Sequence, residues 1–347
     1  MAKNRYIDFL KGFSILCVVY GHCLQYGSGA PFLQDEIYWE NPVMKVIYSF
    51  HMPLFIAISG YLFYFSLERN GARICLKKRA KLLLPICGTW AFILLFHDTV
   101  TGSQFTLAHM VTRLIWNFLT DFWFLWTVLF CVACTATIES LSRTKWGGVS
   151  FLSYILLLII FFVTPDVIWL NAHKFMLPFF VGGYYYAKTK ACWLDKNIVG
   201  ILSSVIWMIL LAFYSKSTYI YTTGITVLGK PSIVTQVVID LYRYLVGTVG
   251  TIAVAFWIKK MYYCLRYINQ KSVNHAVSLL EKWGKDSLVY YILSTYLFVW
   301  IMPTVTKAFE LNYFLVLLET IVVMALCDLI KRILFRFGIV SRFVIGK

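Results

Sequence analysis

Long apolar blocks separated by short polar gaps dominate the pattern of this 347-residue chain. A helix needs about 17 to 25 apolar residues to cross roughly 30 Å of hydrocarbon, and blocks of that length predict ten transmembrane helices. The predicted spans are residues 7–27, 43–67, 82–98, 122–141, 148–164, 168–187, 198–214, 233–258, 286–305 and 312–334. The blocks are continuous and lack the alternation of barrel strands, so the pattern predicts an all-α membrane protein.

Composition supports a polytopic membrane protein. The chain is 60% hydrophobic and only 14% charged, whereas a soluble domain carries about 25% charged residues. The polar gaps are too short for an appended soluble domain, so residues 1–347 are predicted to form a single integral-membrane domain.

The Cys131–Cys134 pair lies within a span and lacks a second ligand pair, so no metal site is predicted.

The net charge of +16 is explained by topology. Basic residues of a nucleic-acid-binding protein gather on one soluble face, whereas here they lie between the apolar blocks. With a cytoplasmic N-terminus, 25 of the 32 Lys and Arg fall in inner segments and 5 in outer segments. Cytoplasmic segments are enriched in positive charge. Both termini are therefore predicted to be cytoplasmic, with the lipid bilayer as partner and no nucleic acid.

Ionisable residues within the first two spans are candidates for function, because each costs at least about 2.5 kcal/mol near the membrane centre. Helical spacing predicts that Lys11 and His22 share one face of the first span, about 16 Å apart. His51 lies at a similar depth in the next span, and Ser59 follows it. Pro53 predicts a kink beside His51. The two imidazoles suggest one polar pocket.

A basic segment follows the second span and contains Lys77, Lys78, Arg79 and Lys81. One interpretation is topology together with attraction to anionic lipid. The other is a binding site for the phosphates of an anionic cytosolic cofactor, since Lys and Arg are the usual partners of phosphate.

Two further polar sites have open interpretations. Asp240 and Arg243 are three residues apart on the eighth span and form either an intrahelical ion pair or part of an acceptor-binding site. Asn171 and His173, at the outer end of the sixth span, either hydrogen-bond a sugar or belong to a solvated rim.

Several short motifs then point to one family. They are Asp8-x-Leu-Lys-Gly12 leading to Gly21-His22, Phe50-His-Met-Pro-Leu-Phe55 with Ser59-Gly-Tyr61, the basic run ending at Pro85, Trp123-Phe-Leu125, Phe179-Phe-Val-Gly-Gly183 and Gly284-Lys-Asp-Ser-Leu288. In order and spacing over nearly the whole chain, the sequence resembles the acyltransferase-3 family of bacterial integral-membrane acyltransferases, nearest its fucose 4-O-acetylase-like branch.

The resemblance implies transfer of an acyl group, usually acetyl from cytosolic acetyl-CoA, to a sugar hydroxyl of a surface polysaccharide or lipid-linked glycan. It also implies a multi-pass protein of the inner (plasma) membrane. By this resemblance His22 is the essential histidine, Lys11 is its basic partner, and Lys78 and Lys81 form the basic pair after the second helix. Lys11 stands where arginine is commoner, and Ser294 stands where many relatives have a late histidine.

The leading hypothesis assigns roles to these candidates. His22 acts as general base or transiently carries the acyl group, and His51 and Ser59 orient the acceptor or polarise the thioester. The acyl-CoA donor is bound by Lys11 and the basic segment, namely Lys77, Lys78, Arg79 and Lys81. The glycan acceptor is bound by Asp240, Arg243 and His173.

Two alternatives remain open from the sequence. A transporter or flippase of a lipid-linked sugar or small solute would line a path with His22, His51, Asp240 and Arg243. An acyltransferase of the other, unrelated membrane-bound family would instead use Asn171 and His173.

Overall fold

The computed structural model of the protein describes residues 4–26, 36–100, 106–142, 149–165, 168–220, 224–268, 270–298 and 312–346. Within these ranges the regular elements are helices and no strand occurs, which confirms the predicted fold class. The α-helices are α1 (Arg5–Tyr26), α2 (Glu36–Glu40), α3 (Pro42–Val100), α4 (Leu107–Thr120), α5 (Trp123–Ser142), α6 (Val149–Phe162), α7 (Ile168–Thr189), α8 (Asn197–Leu211), α9 (Ile233–Ile268), α10 (Lys271–Lys285), α11 (Ser287–Tyr296), α12 (Tyr313–Leu334) and α13 (Gly338–Ile345).

Five of these helices are long and apolar enough to cross a membrane: α1, α3, α5, α9 and α12. Shorter apolar helices include α8 and most of α6. The protein is therefore a multi-pass helical membrane protein. The count of ten spans and the cytoplasmic location of both termini stay predictions, and the predicted span 286–305 lies partly outside the described residues.

Helix α3 joins two spans that the sequence pattern separates. The polar segment between them is helical, because its Lys, Arg, Leu and Ala residues are all good helix formers. The helix passes through Pro53, and the residue with non-helical dihedrals is Gly71, with φ 72° and ψ 165°. The interruption of α3 therefore falls at Gly71, and the kink beside His51 stays a prediction.

The chain forms two compact units. The first unit comprises Met1–Ile58, Thr189–Thr222 and Ile239–Ile333, and the second comprises Ser59–Lys188, Thr223–Val238 and Leu334–Lys347. His22 and His51 belong to the first unit, and the basic segment after the second predicted span belongs to the second.

The first unit is organised around a close crossing of α1 and α10. A Cβ atom added at Gly12 would collide with the carbonyl oxygen of Leu280, and one added at Gly284 would collide with that of Asp8. Glycine has no Cβ atom, so these two residues allow the helix backbones to approach closely. The apolar cluster around this crossing contains Phe9, Leu10, Phe50, Leu54, Ile58, Val254, Ile258, Tyr262 and Val277.

The second unit satisfies its buried charges internally. Glu139, 1% exposed, accepts hydrogen bonds from the hydroxyls of Tyr154, Tyr184 and Tyr185 and pairs with the Lys188 Nζ at 2.6 Å. Lys174 is fully buried and donates to the carbonyl oxygens of Thr164 at 2.9 Å, Ile225 at 3.1 Å and Pro165 at 3.4 Å. Burying a charge without such partners is very costly, so both side chains fix the packing of this unit.

The strained dihedrals at Gly71 generate a prediction. A φ of 72° with a ψ of 165° is a conformation that essentially only glycine adopts. We expect Gly71→Ala to lower the free energy of unfolding by about 1–3 kcal/mol, although nothing lies within 4 Å of the added methyl. Thermal unfolding of the detergent-solubilised protein measures the change.

Gly88→Ala is the matched control for this prediction. Gly88 lies in the same helix, and a methyl added there also meets nothing within 4 Å. Because its backbone is helical, alanine leaves stability unchanged or slightly raises it. Equal unfolding temperatures for the two variants would contradict the strain at Gly71.

Candidate active site

Helix α1 carries Lys11 and His22. The helix is continuous over Arg5–Tyr26, so the two side chains lie on one face about 16 Å apart, as predicted. The His22 ring packs edge-on against the rings of Phe298 and Tyr26, with centroids 5.3 and 6.2 Å away. Its Nδ1 atom is buried and has no hydrogen-bond partner among the residues that the structure describes.

His51 lies on α3, in the same unit, and is 4% exposed. Its Nδ1 lies 2.7 Å from the carbonyl oxygen of Ile47. Since a carbonyl oxygen only accepts, Nδ1 carries the hydrogen and donates it. The Nε2 atom of the neutral ring therefore holds the lone pair and is the basic nitrogen.

Tyr48 connects the helices of the two histidines. Its ring packs edge-on against His51 with centroids 4.9 Å apart, and its hydroxyl donates to the Gln25 Oε1 on α1 at 3.0 Å. Gly21 leaves the space for this ring, because a Cβ there would meet the Tyr48 Cε2 at 3.2 Å. The hydrogen bond from Tyr48 to Gln25 therefore links the helices that carry the two histidines within the first unit. A shared pocket of the two imidazoles stays a prediction.

Aromatic residues surround the far side of Tyr48. Tyr219 lies 5.5 Å from the Tyr48 ring and 5.0 Å from Trp39, and Tyr38 contacts both Tyr48 and Trp39. The ammonium of Lys216 lies over the Trp39 ring at 5.9 Å. These buried rings hold Tyr48 in place and leave His22, which is only partly buried, as the more accessible of the two histidines.

Asp240 and Arg243 form a buried ion pair in the first unit. The Arg243 Nη1 lies 2.6 Å from the Asp240 Oδ1, and both side chains are almost completely buried. The guanidinium also donates to the carbonyl oxygens of Thr218 at 2.8 Å and Ser217 at 3.1 Å. The pair therefore anchors the short 3-10 turn Lys216–Thr218, and the structural interpretation accounts for these contacts.

The remaining predicted site residues lie in the second unit. Ser59 and His173 belong to it, and the His173 Nδ1 lies 2.8 Å from the Thr127 Oγ1 on α5. The Thr127 hydroxyl donates its own hydrogen to the Trp123 carbonyl, so the His173 ring donates to Thr127. A histidine bound in this way joins two helices.

The basic segment of the second unit is helical and largely exposed. Lys77, Lys78 and Lys81 are exposed to solvent, and Arg79 is partly buried. Lys78 donates to the Asn70 Oδ1 at 3.4 Å. Exposed ammonium groups on successive turns of a helix suit a phosphate ligand and an anionic lipid surface equally well.

Sequence reasoning missed Tyr48 and Gln25. Gln25 is three residues after His22, and Tyr48 is three residues before His51. Residues three apart are neighbours on one helix face, so this spacing could have identified Gln25 and Tyr48 as neighbours of the two histidines. The partner that each residue finds on the other helix is a tertiary contact that periodicity does not contain.

The sequence profile of an acyltransferase domain matches residues 4–332. The chain therefore belongs to the acyltransferase-3 family, and the protein is a membrane acyltransferase. This membership decides against the transporter and against the unrelated acyltransferase family as interpretations of the sequence.

Two relatives are similar to the chain. Nodulation protein NolL of Mesorhizobium japonicum is 26% identical over 362 residues, which cover 99% of this chain and 90% of the relative. Nodulation protein NolL of Sinorhizobium fredii is 32% identical over 196 residues, which cover 54% of this chain and 50% of the relative. No solved structure matches the chain.

The contacts of Arg243 generate a prediction that separates its two interpretations. Arg243→Met leaves Asp240 buried without its partner, and breaking a buried pair in this way costs about 3–5 kcal/mol. We expect a large loss of thermal stability, and a smaller loss for the double variant Asp240→Leu/Arg243→Met. Unfolding temperatures in detergent compare the two. A stable Arg243→Met protein with a raised KM for acceptor would instead establish acceptor binding.

Proposed function

We propose that the protein is an O-acyltransferase that moves an acyl group, in the first instance acetyl, from cytosolic acyl-CoA to a sugar hydroxyl. The proposed acceptor is a surface polysaccharide or lipid-linked glycan, and the proposed location is the inner (plasma) membrane. The unsatisfied Nδ1 of His22 carries the proposal. A buried polar atom without a partner is costly, so a substrate group that supplies its hydrogen bond is favoured there.

His22 is proposed as the general base. Its imidazole removes the proton of the acceptor hydroxyl while the hydroxyl oxygen attacks the thioester carbonyl carbon. The new C–O bond forms, the C–S bond breaks, and the imidazolium returns the proton to the departing CoA sulfur. Positioned general bases contribute about 10²–10⁴-fold to such reactions. His51, whose Nε2 is the basic nitrogen, is proposed to orient the acceptor hydroxyl or polarise the thioester.

The donor is proposed to bind through its phosphates. The exposed ammonium groups of Lys77, Lys78 and Lys81, with Arg79 beside them, supply the positive charge that phosphates require. Lys11 is proposed as a further donor contact, because it shares the helix face of His22. The contribution of Ser59 is proposed from its sequence motif alone.

The catalytic role of His22 predicts the effect of its removal. Labelled acetyl-CoA is supplied to membranes that contain the protein and cell-envelope glycan, and label in the glycan is measured. We expect His22→Ala to lower transfer by about 10²–10⁴-fold, whereas the exposed His275→Ala on α10 keeps full activity. Undiminished labelling by folded His22→Ala protein would overturn the proposal.

Donor binding by the basic segment predicts a change in KM. Replacing Lys77, Lys78 and Lys81 together by Gln removes three positive charges from an exposed helix surface. We expect the KM for acetyl-CoA to rise at least about tenfold, because one or two charge-assisted phosphate contacts are lost. The difference in KM between the variant and the wild type should shrink at high salt, which screens exposed charges. The triple variant of Lys190, Lys196 and Lys271 to Gln, which are equally exposed, is the control for net charge. An equal rise in both triple variants would contradict a specific phosphate site.

A further inference from the structure

We propose that Tyr48 and Gln25 are positioning residues that fix the helix of His51 relative to the helix of His22, so that the rate of acyl transfer depends on their hydrogen bond. The inference rests on the proposed function of the two histidines. It adds two residues from different helices whose side chains do not themselves react.

The first observation is that the pair is placed symmetrically about the site. Gln25 lies three residues after His22 on α1, and Tyr48 lies three residues before His51 on α3. The hydrogen bond from the Tyr48 hydroxyl to the Gln25 Oε1, 3.0 Å long, thus links the two helices one turn from each histidine. A shift of one helix along the other would break it.

The second observation is that Tyr48 touches the site on both sides. The edge of its ring contacts the His51 ring, with centroids 4.9 Å apart. The same ring lies over Gly21, the residue before His22, where even a methyl group would meet it at 3.2 Å.

The third observation is that Tyr48 itself is held in place. Its ring packs edge-on against the rings of Tyr38 and Tyr219, with centroids 6.3 and 5.5 Å away. Because Gln25 is 5% exposed, no solvent replaces its bond to Tyr48 when that bond is lost. The His51 ring is fixed in turn by its bond to the Ile47 carbonyl.

This geometry matters for catalysis because acyl transfer needs the base and the orienting group at a fixed separation. A displacement of about 1 Å at a reacting centre costs up to about 10²-fold in rate. Loss of the Tyr48–Gln25 bond frees α1 to move relative to α3 while leaving both imidazoles chemically intact. The expected effect is therefore on kcat and not on the KM for the donor.

The test is a double-mutant cycle of Tyr48→Phe and Gln25→Met on the full-length protein in nanodiscs. We expect each single variant to lower kcat by about 10- to 100-fold, with the KM for acetyl-CoA unchanged. The double variant should be no slower than the worse single variant, because both substitutions remove one bond. Gly21→Ala, which keeps every hydrogen-bonding group, should lower kcat through its contact with the Tyr48 ring.

Tyr242→Phe is the matched control. The Tyr242 hydroxyl donates to the Leu210 carbonyl at 2.8 Å, so this variant also loses a hydrogen bond between two helices of the first unit, but away from the histidines. We expect its kcat to equal that of the wild type. A merely structural role for Tyr48 predicts equal losses of kcat and unfolding temperature in Tyr48→Phe and Tyr242→Phe.

The outcomes separate this inference from the proposed function. Full kcat in folded Tyr48→Phe protein, or additive effects in the double variant, would overturn the positioning role while inactive His22→Ala protein still supports His22 as the base. Activity of His22→Ala protein would instead refute the proposed function, whatever Tyr48→Phe does. Lowered kcat, unchanged KM and non-additivity together would establish the positioning pair.

Discussion

Direct backbone contact between α1 and α10 fixes the helix that carries the proposed active site. Close packing of the two backbones holds these helices together, and such an approach needs residues without a side chain at the crossing. Gly12 and Gly284 provide that packing, because each leaves room for a carbonyl oxygen of the other helix. Both glycines belong to the motifs through which the sequence resembles its family. Since α1 is one rigid helix, the position set at this crossing is transmitted along it to Lys11 and His22.

Several buried charged groups have hydrogen-bond partners at most of their polar atoms. Glu139 receives three tyrosine hydroxyls and an ammonium group, and Arg243 is bound by a carboxylate and two carbonyl oxygens. Such saturation is what a medium without water demands. The Nδ1 atom of His22 is one of several buried side-chain atoms, including those of Asn117, Thr135 and Thr251, that find no partner within the described residues. The saturated groups stabilise the fold, and the Nδ1 atom of His22 is the unsatisfied atom that belongs to the proposed site.

The sequence predicts the parts of this structure that depend on local physics. Bilayer thickness sets the length of apolar blocks, so the helical membrane class follows from them, and helical periodicity places Lys11 and His22 on one face. Hydropathy reports affinity for lipid and not backbone conformation, so the polar stretch within α3 was not recognised as helix, and neither was the interruption at Gly71. The link from Tyr48 to Gln25 joins residues on two helices and depends on tertiary packing, which a single sequence does not encode in any spacing.

The crossing of α1 with α10 also constrains the order of assembly. Its two glycines lie near opposite ends of the chain, at positions 12 and 284. A ribosome that adds about 5–20 residues per second leaves α1 in the bilayer for on the order of tens of seconds before α10 has been synthesised. The helix that bears His22 is thus synthesised well before its packing partner. A chain truncated before α10 would lack the contact that fixes α1, so premature termination would leave the helix of the proposed site without a fixed position.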